Sequence, residues 1–324
     1  PWLLNKINDD WGLDEAKLIS ESFMQQSPIH LSVARTTDNE KTDLHGKRLE
    51  KVRDEIGGET CILPNGSIKV GSDVRGPVSE WPLYNEGIWW VQDAAASLPA
   101  QALFRAFQST NLEEKHVIDM CSAPGGKMAQ LVSMGFGKVT AIEISKKRCK
   151  QLEANIKRLG MEDRCSINIS DGLKWTPDNN HPVDAVLLDA PCSATGTGSR
   201  RPDVLQRKDN LEELLEIQQN LLNHCVDNIL QEGGVVVYAT CSILKEESEG
   251  QIKKLLARTD GASMETIEFQ KEDFPGFETC IDKNGWLRVL PGQLSSTSMG
   301  LCDGFFVARL RRKGTIQNND NPKL

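Results

Sequence analysis

What this 324-residue chain lacks narrows its function before any motif is read. None of its nine cysteines, at 61, 121, 149, 165, 192, 225, 241, 280 and 302, stands in a Cys-x-x-Cys pair, and its five histidines are scattered. That spacing offers no metal site and reads as reduced thiols in an intracellular, cytoplasmic protein. The longest apolar runs, such as "GGVVVYATC", have the length of a buried strand, which excludes a membrane role. A formal net charge of -8 excludes a protein that coats nucleic acid indiscriminately, because such binding depends on lysine and arginine neutralising phosphates. There is no internal repeat and no Gly-x-Gly-x-x-Gly turn, and the latter absence counts against a pyrophosphate-bridged dinucleotide. The chain opens on Pro1 without an initiator methionine, which leaves room for a removed upstream segment and keeps organelle import open.

What is present is an alternating pattern. From 117 to 241, "VIDMC", "KVTAIEI", "CSINIS", "VDAVLLDA" and "GGVVVYATC" are separated by amphipathic stretches at 146 to 159 and 211 to 230. The pattern predicts an α/β fold with a doubly wound, Rossmann-like parallel sheet whose strands are buried on both faces; "DGFFVARLRR" adds a further strand. The first 88 residues read as a small α/β unit: a helical start over 11 to 25, a strand "IHLSVAR", a helix with Leu49, Val52 and Ile56 on one face, and a strand pair about the turn in "CILPNGSIKV". We therefore expect a small domain over 1–88, a catalytic domain over 89–314 and a frayed tail over 315–324. Three net-basic stretches, "SKKRCKQLEANIKR", "SRRPDVLQRKD" and "ARLRRK", suit a phosphate-binding face on an acidic body, although each alone is an ordinary solvated helix face.

The strand exits carry the chemistry. "DMCSAPGGK" places Gly125 and Gly126 in the turn after the first sheet strand, where backbone can approach a ligand closely. Glu143 ends the second strand, at about the spacing of an acid that meets the ribose of an adenosine cofactor, and Asp171 follows the third, where a polar acceptor can meet the adenine amino group. Without a pyrophosphate-binding turn, this constellation favours S-adenosylmethionine. Asp189 and Cys192 leave the fourth strand in "LLDAPCSATGTGSRRPD", and Cys241 leaves the fifth in "YATCSI". Two thiols and an acid would then face one crevice.

These segments, with "VQDAAA" upstream and "DGFFVARLRR" downstream, resemble in order and spacing the RNA cytosine-carbon-5 methyltransferases of the Sun (Fmu, RsmB) family, and most of all its branch acting on 16S, small-subunit ribosomal RNA. The resemblance covers nearly the whole chain. It implies that Cys121, Ser122, Ala123, Pro124, Gly125, Gly126 and Lys127 contact the methionine part of S-adenosylmethionine, Glu143 the ribose and Asp171 the adenine. Asp189 then lies between cofactor and base, and Cys241 is the nucleophile. Residues 1 to 90 would form the small RNA-positioning unit that precedes the catalytic domain. Met128 and Ser122 depart from the threonine and alanine common at those places, and neither change removes a group that the reaction needs.

The chemistry fits these roles. Carbon 5 of cytosine is a weak nucleophile until a thiolate adds to carbon 6, which is covalent catalysis. To donate a proton to the ring, Asp189 needs apolar surroundings that favour its acid form. Cys192 is placed to assist release of Cys241 at the end of the cycle. In DNA cytosine methyltransferases the Pro-Cys cysteine is itself the nucleophile, so the choice of Cys241 rests on the "ATCS" motif. Arg200 and Arg201 are expected to hold RNA phosphate, and the loop glycines to admit the substrate. Trp89 and Trp90 are either stacking surfaces for an unstacked base or buried in the domain interface. A catalytically idle RNA-binding assembly factor, a transfer-RNA methyltransferase and a dinucleotide oxidoreductase are the rival readings. The chain is expected to act as a monomer without metal.

Overall fold

The computed structural model describes residues 2–35, 42–178, 182–207 and 210–314, so the expected tail at 315–324 lies outside the described residues. Two helices open the chain, α1 (Trp2–Trp11) and α2 (Leu13–Phe23). A small unit follows: β1 (His30–Val33), α3 (Thr42–Ile56), β2 (Cys61–Ile62), β3 (Ile68–Lys69) and β4 (Trp89–Val91). The four strands form one antiparallel sheet in the order β2-β3-β1-β4. Leu49, Val52 and Ile56 line the buried face of α3, as their spacing predicts, and pack with Leu31, Ile68 and Trp89.

The larger body runs α4 (Leu98–Ala106), β5 (His116–Met120), α5 (Gly126–Ser133), β6 (Lys138–Glu143), α6 (Lys146–Arg158), β7 (Cys165–Ile169), β8 (Val183–Asp189), α7 (Leu211–His224), β9 (Leu230–Thr240), α8 (Glu249–Ala257), β10 (Met264–Thr266), β11 (Leu287–Val289) and β12 (Phe305–Arg312). Its sheet has the order β10-β12-β9-β8-β5-β6-β7, with β5 to β9 parallel and β12 antiparallel beside β9. Alternate residues of each central strand serve opposite cores. Val117, Leu187 and Val237 enter the cluster under α4 and α5, while Ile118, Leu188 and Tyr238 enter the one under α7 and α8. Burial on both faces explains why these strands are apolar throughout. The chain runs outward from β5 through β6 to β7, then returns to β8 and continues to β9. The switch between β5 and β8 opens a crevice at the carboxyl ends of the strands, where ligands bind in such sheets.

The structure divides the chain differently from the expected boundary at 88. Strand β4 lies beyond that residue yet completes the small sheet, because Trp89 and Val91 pair with Val33 and Leu31. Helices α1 and α2 belong to the larger body: Leu3, Ile7, Ala16 and Ile19 pack on Ile243, Leu244 and Leu290. Trp11 Nε1 donates to the Ile243 carbonyl at 2.8 Å, so the chain's first helix braces the segment that follows Cys241. Local periodicity reports a helix but not the surface it covers. Trp89 and Trp90 are both buried, Trp89 with its indole N–H on the Pro82 carbonyl, and they present no stacking face.

Candidate active site

Five strand ends converge on one cavity of about 620 Å3. Cys121 after β5, Glu143 at the end of β6, Asp171 after β7, Asp189 and Cys192 after β8, and Cys241 after β9 all line it, as does Arg201. The volume falls within the usual range for a small-molecule site.

The donor end of the cavity is the turn from β5 to α5. Gly125 adopts a left-handed conformation with φ of 100°, and a Cβ there would lie 2.3 Å from Leu152 Cδ1. Only glycine lets this turn close against α6. Glu143 fixes the turn from the neighbouring strand. Its carboxylate accepts from the amides of Ala123 (3.3 Å) and Ser145 (2.9 Å) and pairs with Arg148 Nη1 at 3.1 Å. Arg148 in turn donates to the Ala123 carbonyl. Asp171 accepts from the amide of Leu173 at 3.0 Å. The result is a rim of two carboxylates and a glycine turn opening helix α5, a donor set that suits the hydroxyls, amine and cationic sulfur of S-adenosylmethionine better than a pyrophosphate.

The acceptor end is built from the β8 and β9 exits. Cys192 Sγ and Cys241 Sγ stand 3.6 Å apart, within hydrogen-bonding distance for sulfur. That hydrogen bond, burial, and the charges of Cys241 and Glu247 push the Cys192 thiol well up. Cys121 is no competitor, since burial and the carboxylates of Asp189, Glu143 and Asp119 raise it to about 12. Lys127 Nζ donates to Asp189 Oδ2 at 2.7 Å; burial opposes the lysine's charge, but Asp189 overcomes this and raises the lysine pKa. The apolar setting expected for Asp189 is therefore not what the fold provides: its carboxylate is gripped by an ammonium group.

Two further expectations meet a different geometry. Arg200 does not face solvent phosphate: its Nε donates to Asp303 Oδ1 at 2.9 Å and its Nη2 to Asp93 Oδ2, and Asp93 also receives His30 Nδ1 at 3.0 Å. Burial works against the Asp93 charge, yet His30 and Arg200 hold its pKa at about 2. A guanidinium paired with two buried carboxylates joins the small sheet to the larger body, so its charge is already balanced inside the protein. Arg201, by contrast, is exposed beside the cavity. The loop glycines serve packing, not substrate entry. A Cβ on Gly196 would lie 2.4 Å from the Gly304 carbonyl oxygen and 2.8 Å from that of Cys241, and one on Gly198 would meet Leu205 and Phe23.

Sequence reasoning missed the group that holds the two thiols together. Glu247 is fully buried and accepts four hydrogen bonds: from the Ser193 amide (2.8 Å), the Ser193 hydroxyl (2.5 Å), Gln218 Nε2 (3.0 Å) and the Ser242 hydroxyl. Ser193 follows Cys192 and Ser242 follows Cys241, so one carboxylate ties both cysteine loops. Within "KEESEG" it looked like any solvated charge run, and only its place six residues after Cys241 hinted otherwise. Asp119 was also passed over. Its Oδ2 accepts from Ser122 Oγ at 2.5 Å while Oδ1 has no partner, and burial raises the carboxyl to about 7.

Fold and site together have the Rossmann-like architecture of the S-adenosylmethionine-dependent methyltransferases. A family model described as 16S rRNA methyltransferase RsmB/F matches residues 108–311, and the chain belongs to that family. Ribosomal RNA small subunit methyltransferase B of Klebsiella pneumoniae is 32% identical over 320 residues, covering 96% of this chain and 65% of that protein. The protein of the same name from Xylella fastidiosa is 33% identical over 316 residues, covering 95% of this chain and 66% of its own length. This chain thus spans about two thirds of the length of the curated relatives it matches. Among solved structures, PH0851 superimposes with a TM-score of 0.77 at 26% identity over 96% of this chain and 65% of that one. NSun6 from Pyrococcus horikoshii, solved with SFG, shares the fold with a TM-score of 0.69 at 21% identity, over 97% and 98% of the two chains. All nine cysteines are free. Among the described residues no helix is long and apolar enough to cross a membrane, and no three side chains are grouped to hold a metal ion.

Proposed function

We propose that this chain methylates carbon 5 of a cytosine in small-subunit ribosomal RNA, using S-adenosylmethionine and a covalent adduct to Cys241. The observation that carries the proposal is the pair of sulfurs 3.6 Å apart in the wall of the same cavity that Glu143 and Asp171 line. The family's description and the names of the relatives support ribosomal RNA as the substrate. SFG, an S-adenosylmethionine analogue, in the NSun6 structure supports the cofactor.

When bound, S-adenosylmethionine supplies an electrophilic methyl group. The turn from Cys121 to Lys127 orients its methionine part, Glu143 the ribose and Asp171 the adenine. On the acceptor side, the Cys241 sulfur gives an electron pair to carbon 6 of the cytosine, and the ring electrons move to carbon 5 and nitrogen 3. The Lys127–Asp189 pair meets that edge of the base: the carboxylate accepts from the amino group, and the proton gained by nitrogen 3 comes through the pair. Carbon 5 then takes the methyl group in line. Solvent water takes the carbon-5 proton and nitrogen 3 returns its proton to the Lys127–Asp189 pair, which restores the ring double bond and expels Cys241 as thiolate. Cys192, which keeps its proton beside that sulfur, assists by donating to the departing thiolate rather than as the base. Arg201 contacts RNA phosphate at the rim, and the small sheet unit positions the RNA.

The test is incubation with labelled S-adenosylmethionine and small-subunit ribosomal RNA. Cys241→Ala should abolish 5-methylcytosine, and Cys192→Ala should accumulate a protein–RNA adduct that survives denaturation. Turnover by Cys241→Ala, with the adduct lost only in Cys192→Ala, would reverse the assignment; cofactor binding without transfer to any RNA would favour an idle assembly factor.

A further inference from the structure

A second cavity, of about 210 Å3, lies between the small sheet and the far end of α5. Helix α5 begins at the cofactor turn and runs eight residues, so this cavity is roughly 12 Å of helix away from that turn. Among the described residues its charged lining is of one sign, Arg35 after β1 and Arg105 at the end of α4, with the imidazole of His45 on α3 beside them and no aspartate or glutamate. Neutral donors complete it, among them Asn65 and Ser133.

Among the described residues these side chains have no acidic partner. Arg35 is mostly buried and lies over the face of Phe104, 4.8 Å from the ring centre. Burial first and the charge of Arg105 second lower its pKa, and no carboxylate opposes them. His45 is lowered to about 4 by burial, Arg35 and Arg48, and its buried Nδ1 has no hydrogen-bond partner. Arg48, one turn further along α3, donates to the Ala34 carbonyl at 3.0 Å. Three other buried guanidiniums are neutralised, Arg200 by Asp93 and Asp303, Arg288 by Glu249 and Arg258 by Asp227, while Arg158 rests on the Tyr84 and Trp89 carbonyls. Arginine does not escape the cost of burial by losing its proton at physiological pH, so an unpaired cluster of this kind calls for an anion. Guanidinium forks match the oxygens of a phosphate, and an unpartnered imidazole adds a further hydrogen bond.

We propose that this cavity binds a phosphate group. In the working protein the group is a phosphodiester of the substrate RNA, held away from the reacting base; that source rests on the RNA-methyltransferase reading above, whereas the phosphate site does not.

The experiment titrates inorganic phosphate into the full chain while following the His45 imidazole by NMR. Bound phosphate should shift the His45 signal and raise its pKa, and should raise the melting temperature of the wild type. Arg105→Gln, at the rim, should weaken phosphate binding by about tenfold, the loss expected when one charge-assisted contact goes. Arg35→Gln should remove the His45 response altogether. A wild type whose His45 signal is unmoved by phosphate overturns the site. Ribosomal RNA binding, measured beside it, decides the source. A matching tenfold loss in Arg105→Gln, with methyl transfer at saturating RNA unchanged, supports the phosphodiester; unchanged RNA affinity overturns that source and leaves free phosphate as the ligand. If the wild type methylates no RNA at all, the phosphate arm still reads the site independently.

Discussion

Replacing Glu247 is the sharpest test of how the two thiols are held. The carboxylate is fully buried and receives four donors from both cysteine loops and α7. Removing it strands groups unequally. Ser193 Oγ can still reach Ser242 Oγ (3.2 Å) or Thr195 Oγ1 (3.3 Å), and Gln218 Nε2 retains the Pro191 carbonyl at 2.9 Å. The Ser193 amide has no such second acceptor. One orphaned amide, the lost charge-assisted bonds and the void left by the side chain place Glu247→Ala at about 3–5 kcal/mol of destabilisation. Glu247→Gln keeps one acceptor oxygen for the Ser193 amide and Gln218, and needs only the two serine hydroxyls to turn round. Its cost should be ~1–2 kcal/mol. Thermal melting separates the two variants, and the adduct assay adds a readout that stability alone does not move. Glutamine also removes the negative charge that helps keep Cys192 protonated, so methyl transfer should lose its Cys192-dependent step at lower pH than in the wild type. If Glu247→Ala melts within about 2 °C of the wild type, which corresponds to less than ~1 kcal/mol, the reasoning is wrong.

Three other outcomes follow from the same coordinates. Asp119 has its folded pKa raised to about 7, so it binds its proton more tightly folded than unfolded, and stability falls as pH rises from about 4 to about 7. Asp119→Asn should thus gain on the wild type by up to ~4 kcal/mol across that window, and parallel melting curves at pH 5 and pH 8 would contradict it. Arg200→Ala strips the counter-charge from buried Asp93 and should cost about 3–5 kcal/mol in a denaturant melt, with the RNA affinity of the folded fraction unchanged. Gly196→Ala forces a Cβ against the Gly304 and Cys241 carbonyl oxygens; it should cost ~1–3 kcal/mol and slow methyl transfer, and wild-type activity would show that the loop has slack.

Much of this protein is legible in its sequence, because the strand exits of a parallel sheet are local events. An apolar run followed by Gly125 and Gly126, by Glu143, by Asp189 and Cys192, or by Cys241 fixes both the strand and the residue that it delivers. Parallel strands deliver their exits to the same edge, so the cavity that gathers these residues follows from the pattern alone. What the sequence could not reveal was which charges are spent. Arg200 and Arg201 are neighbours in a basic stretch, yet one is locked between Asp93, 107 residues away, and Asp303, while the other is free at the cavity rim. Glu247 and Glu246 stand side by side; one is buried under both cysteine loops and the other pairs with Lys6 on α1. Arg35 carries no mark in the sequence that its side chain is buried without an acid among the described residues. Burial and charge pairing are properties of segments brought together from afar. They depend on distances that only the folded chain creates, and those distances bring Cys192 and Cys241 within 3.6 Å of each other.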